Sequence, residues 1–273
     1  MKSLIAALAL STALIIPAAA WDQWPPRAVA ACQAQAPYGF PQIEKLGAAI
    51  CRHAYVTLND VEARIPVWTS YVLTPSNAIG CLPRSNAFMA DNSLPKGKRA
   101  EVKDYAGSGY DIGHVAPDGD MSFDQQAEYE SFLLTNMYPQ LPGLNRGIWK
   151  LLETAVRGWA AQRNHAMVVY VGAIRSPNEK TIGDSRVVVP NYFFKIVIDT
   201  VTNEAAGFLF EHRGAQGNDL TKVRAPIAQI EQASGIKFGY PAGVKEIPGN
   251  VIWPVDYGAL TKAKRVKCGA TAE

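Results

Sequence analysis

Apolar residues along this chain occur at two spacings, one typical of strands and one typical of helices. Stretches rich in β-branched and aromatic residues and bounded by Asn, Asp, Gly or Pro predict β-strands. They are AYVTLND and RIPVWTSYVLTP in the first third of the chain, and MVVYVGAI, YFFKIVIDT and AAGFLFEH in its second half.

Three other stretches predict helices. In NRGIWKLLETAVRGWAAQRN, apolar residues such as Ile148, Leu152 and Trp159 recur at helical spacing. SFDQQAEYESFLLTNM predicts a helix capped by Ser122, and LTKVRAPIAQIEQASGI predicts one that ends at Gly235. Strands and helices interleave without a regular βαβ repeat. The sequence therefore predicts an α+β fold with a central mixed or antiparallel sheet flanked by helices.

The first residues, 1–20, have the pattern of a secretory signal peptide: basic Lys2, an apolar run, Pro17 and small residues. The apolar run is shorter than the ~20 residues that a membrane span requires. We therefore predict a secreted or periplasmic protein that does not contact a membrane. Residues 21–45, rich in Pro, Ala and Gln, predict an irregular N-terminal segment, and residues 46–268 fit one domain.

Charge and cysteine content limit the kinds of partner and predict how the cysteines are bonded. The chain carries 27 basic and 24 acidic side chains, a formal net charge of +3, so any contact with nucleic acid must be local. Four cysteines, an even set in an exported chain, predict two disulfides. Sequence allows three pairings, of which we favour Cys32 with Cys51 and Cys81 with Cys268. A structural zinc site is the rival interpretation, and the absence of CxxC or CxxxH spacing argues against it.

The chain has four histidines, and these are the candidates for a residue that transfers a proton near neutral pH. His165 follows a predicted helix end, and His53 and His212 lie beside apolar strands, where a hydrogen-bonded structural role is expected. His114 instead lies in the loop sequence SGYDIGHVAPDGDM, and loops on rigid scaffolds carry function disproportionately. The long polar connection upstream of that loop contains Arg84 and is a second candidate functional segment.

Further motifs follow DIGH in a fixed order: TNMYPQ, NRGIWKLLE and IEQASGIKF. With them, residues 51–240 resemble the DNA/RNA non-specific endonucleases of the ββα-metal (His-Me finger) type, the sugar-non-specific and endonuclease G-like nucleases. The resemblance implies a Mg²⁺-dependent endonuclease that cuts DNA and RNA, with Mn²⁺ or another divalent ion as the alternative cofactor. It also implies the ββα-metal nuclease fold.

The resemblance assigns roles residue by residue. His114 is the general base, for which an imidazole pKa near the ordinary value of ~6.5 would suit neutral pH. Asn145 holds the metal directly, through a hard neutral oxygen. Asn136 orients His114 or the substrate, with a helix C-cap as its alternative role. Arg84 contacts phosphate.

Glu153 has two interpretations. It lies eight residues after Asn145, about 12 Å along a continuous helix, so both bind one ion directly only if the helix begins later. We therefore expect Glu153 to reach the metal through a water molecule. In the alternative interpretation it is a surface glutamate that pairs with Arg157 one helical turn away.

One position departs from the family's Asp-Arg-Gly-His motif, because this chain has Ile112 where the arginine belongs. Isoleucine offers neither charge nor a hydrogen bond to a phosphate. In one interpretation Arg84, Arg146 or Lys150 supplies the lost charge and binds substrate. In the other, the protein is a catalytically weakened nuclease-fold protein that binds nucleic acid. The chain retains both the proton acceptor and the metal ligand, which favours the enzyme. The sequence leaves the oligomeric state open, and a homodimer is one possibility.

Overall fold

A seven-stranded sheet forms the centre of the computed structural model, which describes residues 30–44, 47–177 and 179–269. In spatial order the strands are β13 (Lys245–Glu246), β11 (Glu204–Glu211), β10 (Tyr192–Asp199), β7 (Met167–Ile174), β4 (Ile65–Leu73), β3 (Tyr55–Asp60) and β2 (Ala48–Cys51). Only the β11–β13 pair is parallel within this sheet, so it is mixed, as the sequence predicts.

The strands read as nearly continuous apolar runs because both faces of the sheet are buried. In β10, Phe193 and Val197 face one hydrophobic cluster, whereas Phe194 and Ile196 face another. We call the first the cleft-side core and the second the rear core. All five strands predicted from composition occur in this sheet.

A hairpin and a helix lie on the cleft side. Strand β5 (Asp111–His114) pairs antiparallel with β6 (Met137–Gln140), and the long helix α4 (Lys150–Arg163) follows. The connection between β5 and β6 contains the short helices α1 (Asp118–Met121) and α2 (Gln125–Ser131). These elements form a ββα unit whose helix packs its Leu152, Val156 and Trp159 face into the cleft-side core.

Two helix boundaries differ from the sequence prediction. The side chain of Asp124, rather than Ser122, caps α2 by accepting hydrogen bonds from Gln126 and Ala127. Helix α4 begins at Lys150, because the preceding residues form a separate short helix, α3 (Pro142–Leu144), and a wide π-helical turn at Asn145–Trp149. Gly147 in that turn has φ −99° and ψ −118°, which interrupts the helical path.

The N-terminal segment is more ordered than its composition predicts. The signal peptide at 1–20 and the first part of the segment lie outside the described residues, but residues 30–44 pack on the rear core through Cys32, Ala36 and Phe40. Strand β1 (Gln42–Ile43) pairs with β12 (Ile236–Lys237). Apolar contacts with the sheet, which composition does not reveal, hold this segment in place.

The remaining elements complete the molecule. Strands β8 (Lys180–Ile182) and β9 (Val187–Val189) pair with each other, and helices α5 (Ile227–Ser234) and α6 (Tyr257–Cys268) come late in the chain. Helix α5 ends at Gly235, as predicted. Disulfides join Cys32 to Cys51 and Cys81 to Cys268, the favoured pairing. Among the described residues no helix is both long and apolar enough to cross a membrane.

Candidate active site

His114 ends strand β5, and the hairpin fixes its position. Gly113 lies directly before it because the partner strand leaves no room for a side chain: a Cβ atom there would lie 2.0 Å from Gln140 Oε1. Gln140 is fully buried, so a side chain at position 113 would require the Gln140 side chain to shift within the packed interior. The glycine of DIGH is therefore required by the close packing of β5 against β6.

The imidazole of His114 is buried in an aromatic setting. Its ring lies 5.0 Å from that of Phe132 and 5.6 Å from that of Phe88. Burial, together with the nearby positive charge of Arg84, lowers the pKa of His114 to about 3. The expectation of a pKa near the ordinary value is therefore wrong, and the physical reason is desolvation. His114 is neutral at neutral pH.

The other histidines have structural partners, as predicted. His212 Nε2 accepts a hydrogen bond from the Leu141 amide, and its Nδ1 bonds the Pro190 carbonyl. His165 pairs with Asp199, and His53 lies 3.4 Å from Asp124. In contrast, His114 Nε2 is buried without a hydrogen-bond partner within the described part of the chain. His114 thus has unused hydrogen-bonding capacity at the cleft.

Asn136 acts behind the histidine. Its Oδ1 accepts from the Ala116 amide, and its Nδ2 donates to the carbonyls of Ala116 and Ser131. Its own carbonyl accepts from the amide of Val115. Because the residue is fully buried, it holds the chain just after His114 and does not face substrate. Of the two expected roles, orienting His114 or orienting the substrate, this buried position favours the first.

Asp111 holds the residues on the opposite side of the cleft. Its carboxylate accepts hydrogen bonds from Asn145 Nδ2, at 2.9 Å, and from two guanidinium nitrogens of Arg146, at 2.9 and 2.6 Å. Burial acts to raise the pKa of Asp111, but these bonds outweigh it and the pKa is lowered. Since Asn145 commits its amide nitrogen to Asp111, its Oδ1 is left as a free acceptor among the described residues.

Glu153 lies on the first turn of α4 and faces the same cleft. Burial raises its pKa to about 7, against the opposing effect of the Lys195 ammonium, whose Nζ lies 4.0 Å from Glu153 Oε1. Lys195 is fully buried in β10, 4.7 Å from the centre of the Trp149 ring, and burial lowers its pKa. The Glu153 carboxylate thus has one buried cation nearby and an oxygen without a hydrogen bond.

The alternative interpretation of Glu153, a surface pair with Arg157, is wrong. Arg157 Nη1 instead donates to the buried carboxylate of Asp120 at 2.8 Å, and the Tyr71 hydroxyl donates to the same carboxylate. Asp120 is fully buried, so the pair is a fixed part of the cleft floor. Glu153 remains available to a group in the cleft.

The predicted site residues meet in one cleft of about 470 Å³. Apart from Asn136, every site residue expected from the sequence lines it. The walls carry five cations and two carboxylates, together with Ile112: Arg84, Arg146, Lys150, Arg157, Lys264, Asp118 and Glu153. The cleft is therefore cationic although the whole chain is nearly neutral, a distribution suited to a polyanion.

Arg84 and Ile112 occupy neighbouring parts of that wall. The Arg84 guanidinium lies 5.1 Å from the centre of the Phe132 ring and 3.3 Å from Asp118. Ile112 packs against the cleft-side core and brings no charge. Arg84, Arg146 and Lys150 line the same cleft as Ile112, the position at which the motif arginine is missing.

The oxygens in the cleft fit a divalent cation with few protein ligands. In the described ranges, His, Cys, Asp and Glu form no group of three or more that could hold a metal ion. The free Oδ1 of Asn145 and the carboxylate of Glu153 are hard oxygen donors, and a cation of the Mg²⁺ type retains several waters. The wide turn before α4 also removes the continuous helical spacing that would keep these residues apart along one axis.

Sequence reasoning missed several residues of the site. Asp111 was part of the quoted motif, but its pairing with Asn145 and Arg146 is visible only in three dimensions. Lys195 left a local signal, a single charge in the apolar run YFFKIVI. Lys264, far along the chain on α6, left none, since only tertiary packing brings it to the cleft.

Comparison with known proteins shows which family this chain matches. The model of the family described as DNA/RNA non-specific endonuclease matches residues 37–245. The chain is 30% identical to "Nuclease 1, mitochondrial" of Schizosaccharomyces pombe, an alignment that covers 68% of this chain and 64% of that protein. It is 32% identical to "Endonuclease G, mitochondrial" of Bos taurus and of Homo sapiens, covering 74% of this chain and 72% of each relative.

A solved structure is similar as well. The crystal structure of the EndoG/EndoGI complex superposes with a TM-score of 0.70 at 25% sequence identity, covering 76% of this chain and 91% of that one. The two chains therefore share their overall fold.

The names of these relatives correct one expectation. The nucleases from Schizosaccharomyces pombe, Bos taurus and Homo sapiens are mitochondrial proteins by name. This finding contradicts the secreted or periplasmic location predicted from residues 1–20. The location was predicted from the basic residue and the apolar run in residues 1–20 alone, and this composition does not identify the compartment.

Proposed function

The chain belongs to the DNA/RNA non-specific endonuclease family, a family of nucleases with the ββα-metal fold, and we propose that it hydrolyses phosphodiester bonds within DNA and RNA. The observation that carries the proposal is a neutral histidine with an unbonded nitrogen in a cationic cleft. Phosphodiester hydrolysis needs a proton acceptor, positive charge near the phosphate and groups that hold it in line.

His114 takes the proton of the attacking water in this proposal. Burial leaves the imidazole in its neutral form, the form that can accept a proton, and the negative charge of a bound phosphate would act against the desolvation that lowers its pKa. Asn136 keeps it in place by bonding the backbone just after it. Arg84, Arg146 and Lys150 bind the phosphates, and Arg84, against Phe132, is the cation whose charge reaches His114.

The family implies a divalent metal, and we propose Mg²⁺, with Mn²⁺ or another divalent ion as the alternative. Asn145 would hold it directly and Glu153 through water. When bound, the cation supplies positive charge that stabilises the leaving 3′ oxygen. The product then carries a 5′-phosphate. Asp111 serves this arrangement by turning the Asn145 amide so that its oxygen faces the cleft.

Sequence preference should be small. The side chains around the reacting position are cations, which contact phosphates, and phosphate contacts carry no base information. Of the aromatic residues near His114, Phe132 is buried, and Phe88 is half-buried and packs edge-on against it.

The alternative is a nucleic-acid-binding protein weakened by Ile112. Its support is the uncharged side chain at this position of the cleft wall. A digestion assay decides between the two. Plasmid DNA and a structured RNA are incubated with Mg²⁺, with Mn²⁺ and with EDTA. We expect cutting of both with either ion, none in EDTA, and none by His114→Ala.

Asn164→Ala, at the far end of α4 and away from the cleft, is the control and should cut like the wild type. Tight binding of both nucleic acids without cutting under any divalent ion would establish the binding protein instead.

A further inference from the structure

Helix α6 carries an unusual charge pattern for a surface helix. Between Tyr257 and Cys268 it has four basic side chains, Lys262, Lys264, Arg265 and Lys267, and no acidic one. The acidic side chain next to the helix is that of its N-cap, Asp256. A surface helix ordinarily buries an apolar stripe against the core. No residue of α6 is buried. Apolar packing therefore does not explain why this helix lies on the domain.

Specific bonds at its two ends hold α6 instead. At the N-terminal end, Gln162 of α4 donates to the Asp256 carbonyl and accepts from the Asp256 amide, at 2.7 and 3.0 Å. At the C-terminal end, Lys267 donates to the carbonyls of Ser76 and Ile79. The disulfide between Cys81 and Cys268 closes the same end. Helix α6 is thus attached to the rest of the domain at both of its ends.

Between α6 and the rest of the domain lies a cavity of about 320 Å³. Lys264 and Arg265 of α6 line it, together with Thr154 and Arg157 of α4. Its walls therefore carry three cations and hydroxyl groups, but no carboxylate. Such a lining suits an anion with several oxygens.

The cavity adjoins the cleft of the candidate active site, because Gly119, Arg157 and Lys264 line both. Where they adjoin, Arg157 packs closely on Gly119, since a Cβ atom at position 119 would lie 2.8 Å from Arg157 Nη1. A chain of phosphates that enters the catalytic cleft thus meets Lys264 and then Arg265 along the same surface.

We propose that α6 is a nucleic-acid clamp: Lys264 and Arg265 bind the backbone phosphates next to the one that is cut, and the Cys81–Cys268 disulfide holds the helix in position for this. The inference rests on the proposed function, since it takes a nucleic acid as the occupant of the cleft. It adds a second, sequence-independent contact that lengthens the bound strand beyond the catalytic cations.

Binding of single-stranded DNA by the full chain in EDTA tests the clamp without requiring any cutting. The Kd of an oligonucleotide of 20 residues and of one of 4 residues is measured over a range of salt for wild type and for K264A/R265A. We expect the long strand to bind about tenfold more weakly at 0.1 M salt, and its log–log salt slope to fall by about 1.4, the value for two lost phosphate contacts. The short strand, held in the catalytic cleft, loses only the Lys264 contact, so its affinity should fall less and its salt slope by about 0.7.

K237A/K245A removes the same charge from positions that line neither cavity and should leave both values as in the wild type. If the K264A/R265A slope equals that of this control, the clamp is wrong. Failure of the proposed function looks different: wild type would bind both strands and cut neither when divalent ions are added.

The tether has its own test. C81S/C268S releases only the last helix, and far-UV circular dichroism verifies that the sheet remains folded. We expect long-strand affinity to fall as in K264A/R265A. C32S/C51S, which opens the disulfide at the rear core, should not change it. Equal long-strand affinity in C81S/C268S and wild type would overturn the role of the disulfide in the clamp.

Discussion

At the scale of single residues, His114 and Ile112 matter most for the proposed chemistry. His114 is affected by its buried environment, and Ile112 lacks the positive charge of the motif arginine. The histidine is neutral because it is buried beside Phe88, Phe132 and Arg84. Ile112 brings no charge, but Arg84, Arg146 and Lys150 line the same cleft. In the proposed mechanism the site therefore keeps its base and three cations for phosphate.

Ile112→Arg tests how much charge is missing. The side chain is partly buried, lines the cleft and has room to extend toward it. We expect kcat/KM on plasmid DNA to rise by about tenfold, the size of one modest transition-state contact. Ile112→Leu, which adds no charge, is the matched control. An unchanged or lower kcat/KM in Ile112→Arg would mean that Arg84, Arg146 and Lys150 already supply the field.

The buried histidine also predicts how stability depends on pH. The pKa of His114 is about 3 in the folded chain and about 6.5 when unfolded, so the unfolded chain binds the extra proton between these values. This group therefore stabilises the fold above pH ~6.5 and loses that contribution as the pH falls. Between pH 7 and pH 5 the loss is about 2 kcal/mol.

Glu153 acts in the opposite direction. Burial raises its pKa to about 7, so it stabilises the fold at low pH and loses this contribution as the pH rises through 7. Urea unfolding in EDTA at pH 7 and pH 5 separates the two. The stability difference between wild type and His114→Asn should fall toward pH 5, and that between wild type and Glu153→Gln should rise. Changes of the same sign would contradict these environments.

At the scale of elements, the ββα unit depends on a close fit between β5 and β6. Gly113→Ala places a methyl group against the buried Gln140 side chain, and overpacking of this kind costs about 1–3 kcal/mol of unfolding free energy. Both polar atoms of that side chain lack a hydrogen bond among the described residues. Gln140→Ala therefore removes the obstacle without breaking a bond.

A double-mutant cycle measures this fit. We expect the cost of Gly113→Ala, from urea unfolding, to become small in the Gln140→Ala background. An equal cost in both backgrounds would show that the glycine is needed for another reason.

Element positions could be predicted from sequence where local signals were strong. The five strands have β-branched and aromatic runs, and α4 has helical periodicity, so both were found. The start of α4 was not, because Asn145–Trp149 carries the same periodicity but bends at Gly147. The cap of α2 was assigned to Ser122 because Ser122 and Asp124 are both good N-caps, and only the backbone shows which one bonds the first turn.

At the scale of the whole molecule, the central sheet separates a cleft side from a rear side. Phe40, from the N-terminal segment, packs in the rear core with its ring 5.5 Å from that of Trp68. We expect Phe40→Ala to cost about 3 kcal/mol of unfolding free energy and to leave kcat and KM at 25 °C unchanged. Thermal unfolding and plasmid hydrolysis measure the two effects.

Phe132→Ala is the matched control, since its ring contacts His114 and lies under Arg84. It should lower both stability and kcat. A loss of kcat in Phe40→Ala would mean that the rear side of the sheet communicates with the cleft.

The sequence by itself determined the family, the strands, the long helix and most of the residues that meet in the cleft, because ordered motifs and periodicity are local properties. Tertiary structure decided the neutral state of His114, the buried position of Asn136, the hub at Asp111 and the arrival of Lys264 from the last helix. These depend on burial and on contacts between distant segments. Desolvation and through-space charge, which set a pKa and a binding surface, have no local signature in a chain.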